Sequence, residues 1–278
     1  MRLVEPDVFC IGKPSVDVPE MERYLEMVGG NKWLERIEPL LHDQSMQDGE
    51  ALVEFGGRLC YRSWEPGLNP NVTKVREDSG EYLRNILSSG HGSVTEHGFY
   101  VFVFHNVSRV FTHELCRHRA GTSISQESMR YVRLDDIPFW LPEWAKADED
   151  LVDGIMNSER CDSCGQHFGV LDRLEEFQRW MAGHFGLDDD NVPFSEKKAK
   201  TSFMRRFAPD GVATSIMWGG NIRAIRHVIE MRTALGAEEE IRLVFDKVAE
   251  HMQQAAPMLF SDYTRTLDGE WVSDYRKV

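Results

Sequence analysis

The segment from residue 99 to 107, FYVFVFHNV, constrains the fold of this chain more than any other. It is almost wholly apolar and rich in valine and phenylalanine, which favours a β-strand buried on both faces. The run at 212–220 alternates like a second strand. Helical patterns cover residues 19–45, 51–64, 80–93, 171–186, 195–207, 221–234 and 237–256. Because helices outnumber strands and no regular βαβ alternation occurs, the sequence predicts an α+β fold.

Length and composition favour one folded domain over residues 1–278. The chain has 278 residues and a hydrophobic fraction of 41%, and no linker rich in proline, serine or glycine divides it. Residues 143–166 are acidic and predict a solvent-exposed surface insertion. Residues 120–131, with Gly121 and several serines and threonines, predict a loop.

Charge and cysteine content narrow the function classes. The net charge is −14 and the pI is about 5.2, which argues against broad binding to nucleic acid or to an anionic membrane. No apolar run reaches the roughly 18 residues of a membrane span, and Glu5 and Asp7 fall where a signal peptide needs apolar residues. The five cysteines are scattered, which indicates free thiols. These features predict a cytoplasmic protein.

The segment CRHRAGTSISQESMRY, residues 116–131, places Arg117, His118 and Arg119 side by side in this acidic chain. The preceding apolar residues are spaced as in a helix, so the three basic residues are predicted to close it. Adjacent cations repel one another, and hydroxyl groups follow them. This combination suits an anionic ligand such as a phosphate.

Arg232 falls on the isoleucine stripe of the helix at 221–234, NIRAIRHVIEMRTA. A buried guanidinium is normally paired or faces a ligand. The sequence leaves both possibilities open, with Glu114 or Glu127 as partners for a structural ion pair.

Further basic groups lie near helix ends. Asn221 and Arg223 begin the helix that contains Arg232, and helix starts favour anions. Arg205 and Arg206 come late in the helix at 195–207, where a solvated helix end is the simpler interpretation. His91 and His97 lie in GHGSVTEHG without an HExxH spacing, so no metal site is predicted there.

A single CxxC, Cys161 and Cys164, has no second pair, and a loop with free thiols is the favoured interpretation. The chain contains no GxGxxG or GxxxxGK[ST] motif. A Rossmann or P-loop nucleotide site is therefore not predicted.

Four collinear blocks resemble the flavin-dependent thymidylate synthase family. The most specific is THELCRHR followed by SISQESMRYV, which is similar to the family signature of Arg-His-Arg, a short spacer and Ser-x-Asn/Ser-Glu/Gln-x-Ser-x-Arg-Tyr. The others are ALVEFGGRLCYRSW, GHGSVTEH, and GGNIRAIRHVIEMR with AEEEIR. Eight residues, 120–127, separate the Arg-His-Arg from Ser128, the later serine of the signature. The commonest family form has seven, and Gly121 suits the resulting bulge.

The resemblance implies an α+β fold with a central, mainly antiparallel sheet and flanking helices. It implies conversion of dUMP to dTMP with methylenetetrahydrofolate as carbon donor, FAD as mediator and NADPH as reductant. It further implies a homotetramer with active sites between subunits.

Site residues carry over by position. FAD contacts are implied for His91, Ser93, Arg117, His118, Arg119, Gln126, Asn221, Arg223 and His227. Contacts with dUMP are implied for Glu114, Arg117, Gln126, Glu127, Ser128, Met129, Arg130, Arg205 and Arg232. Arg232 is the implied catalytic residue, and no metal is implied.

Two other functions stay open at this level. One is a phosphoryl transferase of the histidine phosphatase type using His118, although that chemistry usually wants Arg-His-Gly just after a strand. The other is a non-catalytic flavin or nucleotide binder of the same fold, which would most simply arise by loss of Arg232 or Ser128.

Overall fold

The computed structural model describes residues 2–156 and 169–275. Its strands are β1 (Arg2–Leu3), β2 (Asp7–Gly12), β3 (Phe99–Ser108), β4 (Thr122–Gln126), β5 (Pro138–Phe139), β6 (Ala213–Asn221), β7 (Tyr263–Arg265) and β8 (Trp271–Ser273). Its α-helices are α1 (Val18–Val28), α2 (Asn31–His42), α3 (Asp48–Tyr61), α4 (Ser79–Ser88), α5 (Arg109–Leu115), α6 (Glu143–Lys146), α7 (Glu149–Met156), α8 (Val170–His184), α9 (Phe194–Met204), α10 (Ile222–Thr233), α11 (Glu239–Ala255) and α12 (Pro257–Phe260). Short 3-10 helices occupy Gly92–His97 and Arg205–Phe207.

The main sheet has the strand order β2-β3-β6-β4 and is antiparallel. The chain folds into two compact units, each built from separate segments, and it passes between them inside β2, β3, β4 and β6 and between Arg117 and His118. The predicted α+β class, with an antiparallel sheet and flanking helices, is confirmed. The organisation as one domain stays a prediction.

The first unit comprises Met1–Asp7, Phe104–Arg117 and Ile124–Met217. Phe104 of β3 packs edge-on against Phe111 of α5, with ring centroids 5.6 Å apart. A second cluster joins Leu134, Ile137 and Val212. β1 pairs in parallel with β5 in this unit. β3 ends at Ser108, which is also the N-cap of α5 and accepts a hydrogen bond from the amide of Phe111.

The second unit comprises Val8–Val103, His118–Ser123 and Trp218–Val278. Trp218 of β6 packs edge-on against Phe245 of α11, with ring centroids 5.6 Å apart. The buried isoleucines of α10, predicted from their spacing, face this core. β7 and β8 form a separate antiparallel pair in which Tyr263 is opposite Ser273.

A buried ion pair in the second unit joins α10 to the segment just before β7. Arg226 on α10 is 0% exposed, and its Nη1 and Nη2 donate to the two carboxylate oxygens of Asp262 at 2.9 and 2.7 Å. Its Nη2 also donates to Ser273 Oγ, and the guanidinium lies 4.7 Å from the ring centroid of Tyr263. A bidentate pair of this kind offsets part of the cost of removing both charges from water.

Two predicted segments differ from the structure. Residues 19–45 form two helices, because Gly29 adopts the left-handed conformation with φ of 80° and ends α1. Residues 120–131 contain β4, which was predicted as a loop; the backbone of this segment finds partners on β6, as in the bond from the amide of Asn221 to the carbonyl of Gly121. Strand pairing thus outweighs the turn-forming composition.

The surface insertion at 143–166 stays a prediction. It begins with α6 and α7, and Ala145 is buried at 3% exposure. The amide of Gly169 returns to the carbonyl of Gly154. Cys161 and Cys164 lie outside the described residues. Among those that are described, no helix combines the length and the apolar character that crossing a membrane requires.

Candidate active site

The start of α10 collects several predicted site residues in the second unit. Asn221 is the N-cap, and its Oδ1 accepts a hydrogen bond from the amide of Ala224 at 2.8 Å. Gly121 lies against this side chain with φ of +69°, and a Cβ at Gly121 would lie 2.5 Å from Asn221 Nδ2. Only glycine fits both the conformation and the contact without strain. This agrees with the expectation that Gly121 accommodates the longer spacer.

His118 and Arg232 are brought together by the fold, although 114 positions separate them. Arg232 Nε donates to His118 Nε2 at 2.7 Å. The histidine must therefore present a lone pair at Nε2, which makes it the neutral tautomer with its proton on Nδ1. The catalytic candidate and the centre of the Arg-His-Arg motif form one hydrogen-bonded group.

The electrostatics of His118 keep it neutral. Burial is the main cause that lowers the pKa of His118 to about 4, and Arg232 and His227 lower it further. The ring of His227 lies 6.3 Å from that of His118 between centroids. The causes are thus burial and two residues of α10 that are distant from His118 in sequence.

Other predicted cofactor residues lie in the same unit. Arg223 forms an ion pair with Glu96, with 2.7 Å between Nη1 and Oε1. Its guanidinium also covers Gly92, where a Cβ would lie 2.8 Å from Nε. Ser93 and Arg119 are exposed to solvent.

His91 is half-buried and packs edge-on against Tyr61, with centroids 5.8 Å apart. Both rings, together with Lys74, line a cavity of about 210 Å³. Tyr61 was not among the predicted site residues, and its place beside His91 is a product of the fold.

The first unit holds most of the predicted nucleotide residues. Arg117 is exposed just after α5, and Glu114 in the last turn of that helix is half-buried. Gln126, at the end of β4, donates from Nε2 to Thr112 Oγ1 at 3.0 Å. Thr112 is fully buried, so the side chain of Gln126 is tied to α5.

The residues after β4 have different surroundings. Glu127 and Met129 line a cavity of about 190 Å³, whereas Ser128 and Arg130 are not among its lining residues. Ser128 Oγ accepts a hydrogen bond from the amide of Arg130 at 3.3 Å. Arg205 is exposed in the 3-10 helix that follows α9.

The predicted sets therefore separate by unit. Most of the FAD set belongs to the second unit and most of the dUMP set to the first, with Arg232 as the exception. The prediction that Arg232 lies on the buried stripe is wrong: it is half-buried, and Arg226 is the fully buried arginine of α10. Spacing could not separate the two, because both fall within reach of the isoleucine stripe.

Sequence reasoning missed Arg109, the first residue of α5. It lines the same cavity as Glu127 and donates from Nη2 to the carbonyl of Glu127 at 3.2 Å. The sequence does contain a signal for Arg109. A cation at the first position of a helix interacts unfavourably with the helix dipole, so its presence there indicates another role.

Within the described residues, no group of three or more histidine, cysteine or acidic side chains is arranged to hold a metal ion. Cys10, Cys60 and Cys116 are free thiols.

The chain was compared with known proteins at the levels of family, sequence and fold. The family model described as "Thymidylate synthase complementing protein" matches residues 41–258. The flavin-dependent thymidylate synthase of Mycobacteroides abscessus is 35% identical over 215 residues, which are 77% of this chain and 80% of that protein. The enzyme of the same name from Mycobacterium tuberculosis is 36% identical over 227 residues, 81% and 84% of the two chains.

Among solved structures, the UMP/dUMP methylase PolB from Streptomyces cacaoi, bound with 5-Br UMP, superposes with a TM-score of 0.54. It is 15% identical and covers 94% of this chain and 95% of its own, a likeness that concerns the fold alone. The family match and the sequence identities identify the family, and the matched residues 41–258 include the motif blocks described above. The chain belongs to the flavin-dependent thymidylate synthase family.

Proposed function

We propose that this protein converts dUMP to dTMP, with methylenetetrahydrofolate as one-carbon donor, FAD as redox cofactor and NADPH as reductant. Membership of the family supports the reaction class. The single structural observation that carries the proposal is the 2.7 Å hydrogen bond from Arg232 Nε to His118 Nε2. It joins the implied catalytic arginine to the motif that distinguishes the family.

The residues at the start of α10 suit a flavin. His118 is neutral near pH 7 because its pKa is lowered to about 4, so its ring can lie against an apolar aromatic surface without bringing a charge. Arg119 and Arg223 supply guanidinium donors for a diphosphate. The side chain of Asn221, which lies against Gly121, adds a polar group. When bound, FAD supplies the redox chemistry; these residues would hold and orient it.

His91 and Ser93, from the neighbouring 3-10 segment, and His227 would complete the contacts within this unit. The resemblance also assigns FAD contacts to Gln126 and Arg117.

Arg232 is proposed to bind the pyrimidine of dUMP. Its Nε is held by His118, and its guanidinium would donate to a carbonyl oxygen of the ring and stabilise negative charge that develops there. A guanidinium keeps its charge throughout, so this residue orients and polarises the base and transfers no proton.

The nucleotide phosphate is proposed to bind Arg130, Arg205 and the hydroxyl of Ser128. Ser128 is assigned a positioning role, because a serine nucleophile needs an adjacent general base and its Oγ is engaged with the amide of Arg130. Glu114, Gln126, Glu127 and Met129 would shape the pocket from the same segment and from α5.

The active assembly is proposed to be a homotetramer with active sites between subunits, acting in the cytoplasm. The large exposed apolar residues of β2, Phe9 at 50% and Ile11 at 58% exposure, support burial of that strand against another chain. The scattered free thiols support a reducing compartment.

The test is formation of dTMP from dUMP by the purified protein with FAD, NADPH and methylenetetrahydrofolate, monitored by product analysis and by NADPH oxidation with and without dUMP. Arg232→Ala serves as the inactive variant. Arg84→Ala, which changes an exposed arginine of α4 in the same unit, serves as the matched control. Wild-type protein that binds FAD but makes no dTMP would refute the proposal and favour the non-catalytic binder. Phosphate release from a phosphomonoester that depends on His118 would favour the phosphoryl transferase, which the family assignment does not favour.

A further inference from the structure

A closed ring of aromatic side chains lies on the α8–α9 hairpin of the first unit. Each ring contacts the next, with centroids between 5.2 and 6.2 Å apart all the way round. The set, here called the aromatic face, consists of Phe177, Trp180, His184, Phe185, Phe203 and Phe207. The FAD and dUMP contacts implied by the resemblance include none of these residues, so the proposed chemistry gives the aromatic face no role.

The aromatic face lies on the side of α8 that points away from the core of the unit. Leu171 and Ala182 of this helix are buried, at 2% and 5% exposure. At 3.6 residues per turn, Phe177, Trp180 and His184 fall on the opposite side. A helix with apolar residues on both sides is normally covered on both. The outer side of α8 is therefore expected to bind another surface.

The exposed area is large enough to form the centre of a protein contact. Four of the rings are between 37% and 59% exposed: Phe177, Trp180, Phe203 and Phe207. Together they present roughly 300–450 Å² of aromatic surface, and contiguous apolar patches of several hundred Å² often mark interaction sites. A stable interface buries about 800 Å² on each partner, with aromatic residues enriched at its centre and polar residues at its rim.

The charges beside the aromatic face differ between its two sides. Residues 170–190, on the α8 side, contain six acidic and two basic residues, whereas residues 194–207, on the α9 side, contain one acidic and five basic residues. A twofold axis running between α8 and α9 would place the acidic side of each copy against the basic side of the other. This complementarity favours a second copy of the chain as the partner, because it offsets the repulsion between two molecules of net charge −14.

We infer that the aromatic face is a contact between two copies of this chain, formed by the α8–α9 hairpin of each. It is a different surface from β2, whose Phe9 and Ile11 belong to the second unit. The inference goes beyond the proposed function, because it depends on none of the residues assigned to FAD or dUMP.

The experiment measures the size of the assembly formed by the FAD-loaded full chain, by sedimentation velocity over a range of protein concentrations. Trp180→Ala removes a large exposed ring from the face and keeps a residue that favours helix. Trp144→Ala is the matched control, because Trp144 is 69% exposed on α6 of the same unit and lies outside the face. Circular dichroism and the thermal midpoint verify that each variant is folded.

Trp180→Ala is expected to form a smaller assembly than wild type, with the dissociation constant of the contact raised at least about 10-fold, as for a tryptophan at the centre of an interface. Trp144→Ala is expected to match wild type. Arg206→Glu reverses an exposed charge on the basic side and is expected to weaken the same contact, more strongly at low salt than at high salt.

Identical sedimentation of wild type and Trp180→Ala at every concentration would overturn the inference and would leave the aromatic face to a different protein. If Trp180→Ala does not fold, the same result in Phe177→Ala decides against it. Assembly size is measured without reference to dTMP formation, so failure of this inference and failure of the proposed function are separate results.

Discussion

Replacing His118 by leucine removes the acceptor that holds Arg232 while it preserves most of the buried volume. The bond it removes is short, 2.7 Å, and its donor is charged. Without it, Arg232 Nε loses its bond to His118, and the guanidinium is expected to be less well oriented toward the pyrimidine that it is proposed to bind. The variant therefore tests whether this hydrogen bond orients the proposed catalytic residue.

The magnitude follows from the charge on the donor. A hydrogen bond to a charged group contributes about 1.5–3 kcal/mol, and each 1.36 kcal/mol corresponds to about tenfold in rate. His118→Leu is thus expected to lower kcat/KM for dUMP by about 10- to 150-fold. His118→Gln offers an amide oxygen in place of Nε2 and is expected to recover part of the loss.

The assay is dTMP formation at saturating FAD, with bound flavin measured by its absorbance so that cofactor loss is separated from misplacement of Arg232. His42→Leu, at an exposed position in the last turn of α2, is the control. A flavin-saturated His118→Leu enzyme with wild-type kcat/KM would refute the positioning role, as would a glutamine variant no better than the leucine variant.

Four further outcomes are expected. Arg232→Ala abolishes nearly all dTMP formation but leaves the thermal midpoint close to wild type, and near-normal turnover would show a structural role. Ser128→Ala raises KM for dUMP and keeps measurable turnover, whereas trapping a covalent uracil adduct on this serine would contradict its positioning role. Arg226→Met lowers the free energy of unfolding by about 3–5 kcal/mol in urea titrations, because Asp262 is left as an unpaired buried charge; a loss below about 1 kcal/mol would show that the pair contributes little. The pKa of His118 falls from 6.5 to about 4 on folding. Between these values the unfolded chain binds more protons than the folded chain, so the free energy of unfolding falls as pH is lowered from about 7 to about 4. His118→Gln is expected to lose less stability over that range, and an equal loss would contradict the low pKa of His118.

The site residues could be named from the sequence because they lie in contiguous blocks. Arg117, His118 and Arg119 are adjacent, and residues 126–130 follow within a few positions, so a motif match needs no tertiary information. The same holds for β3 and α10, whose apolar periodicity reflects burial directly. The family and its reaction class, predicted from these blocks, are confirmed by the family match and the sequence identities.

Interactions between distant positions needed the tertiary structure. The bond between Arg232 and His118 depends on where β4 begins relative to α10, which no local pattern records. Arg226 and Arg232 have equivalent spacing on one helix, and only the position of Asp262, 36 residues away, selects the buried one. The segment of β4 reads as a loop because its serines and threonine, and the glycine just before it, favour turns; pairing with β6 provides the hydrogen bonds that make it a strand. The sequence by itself determined which chemical groups are present. Long-range packing decided which of these groups come into contact and which are removed from water, and burial and contact in turn set their pKa values.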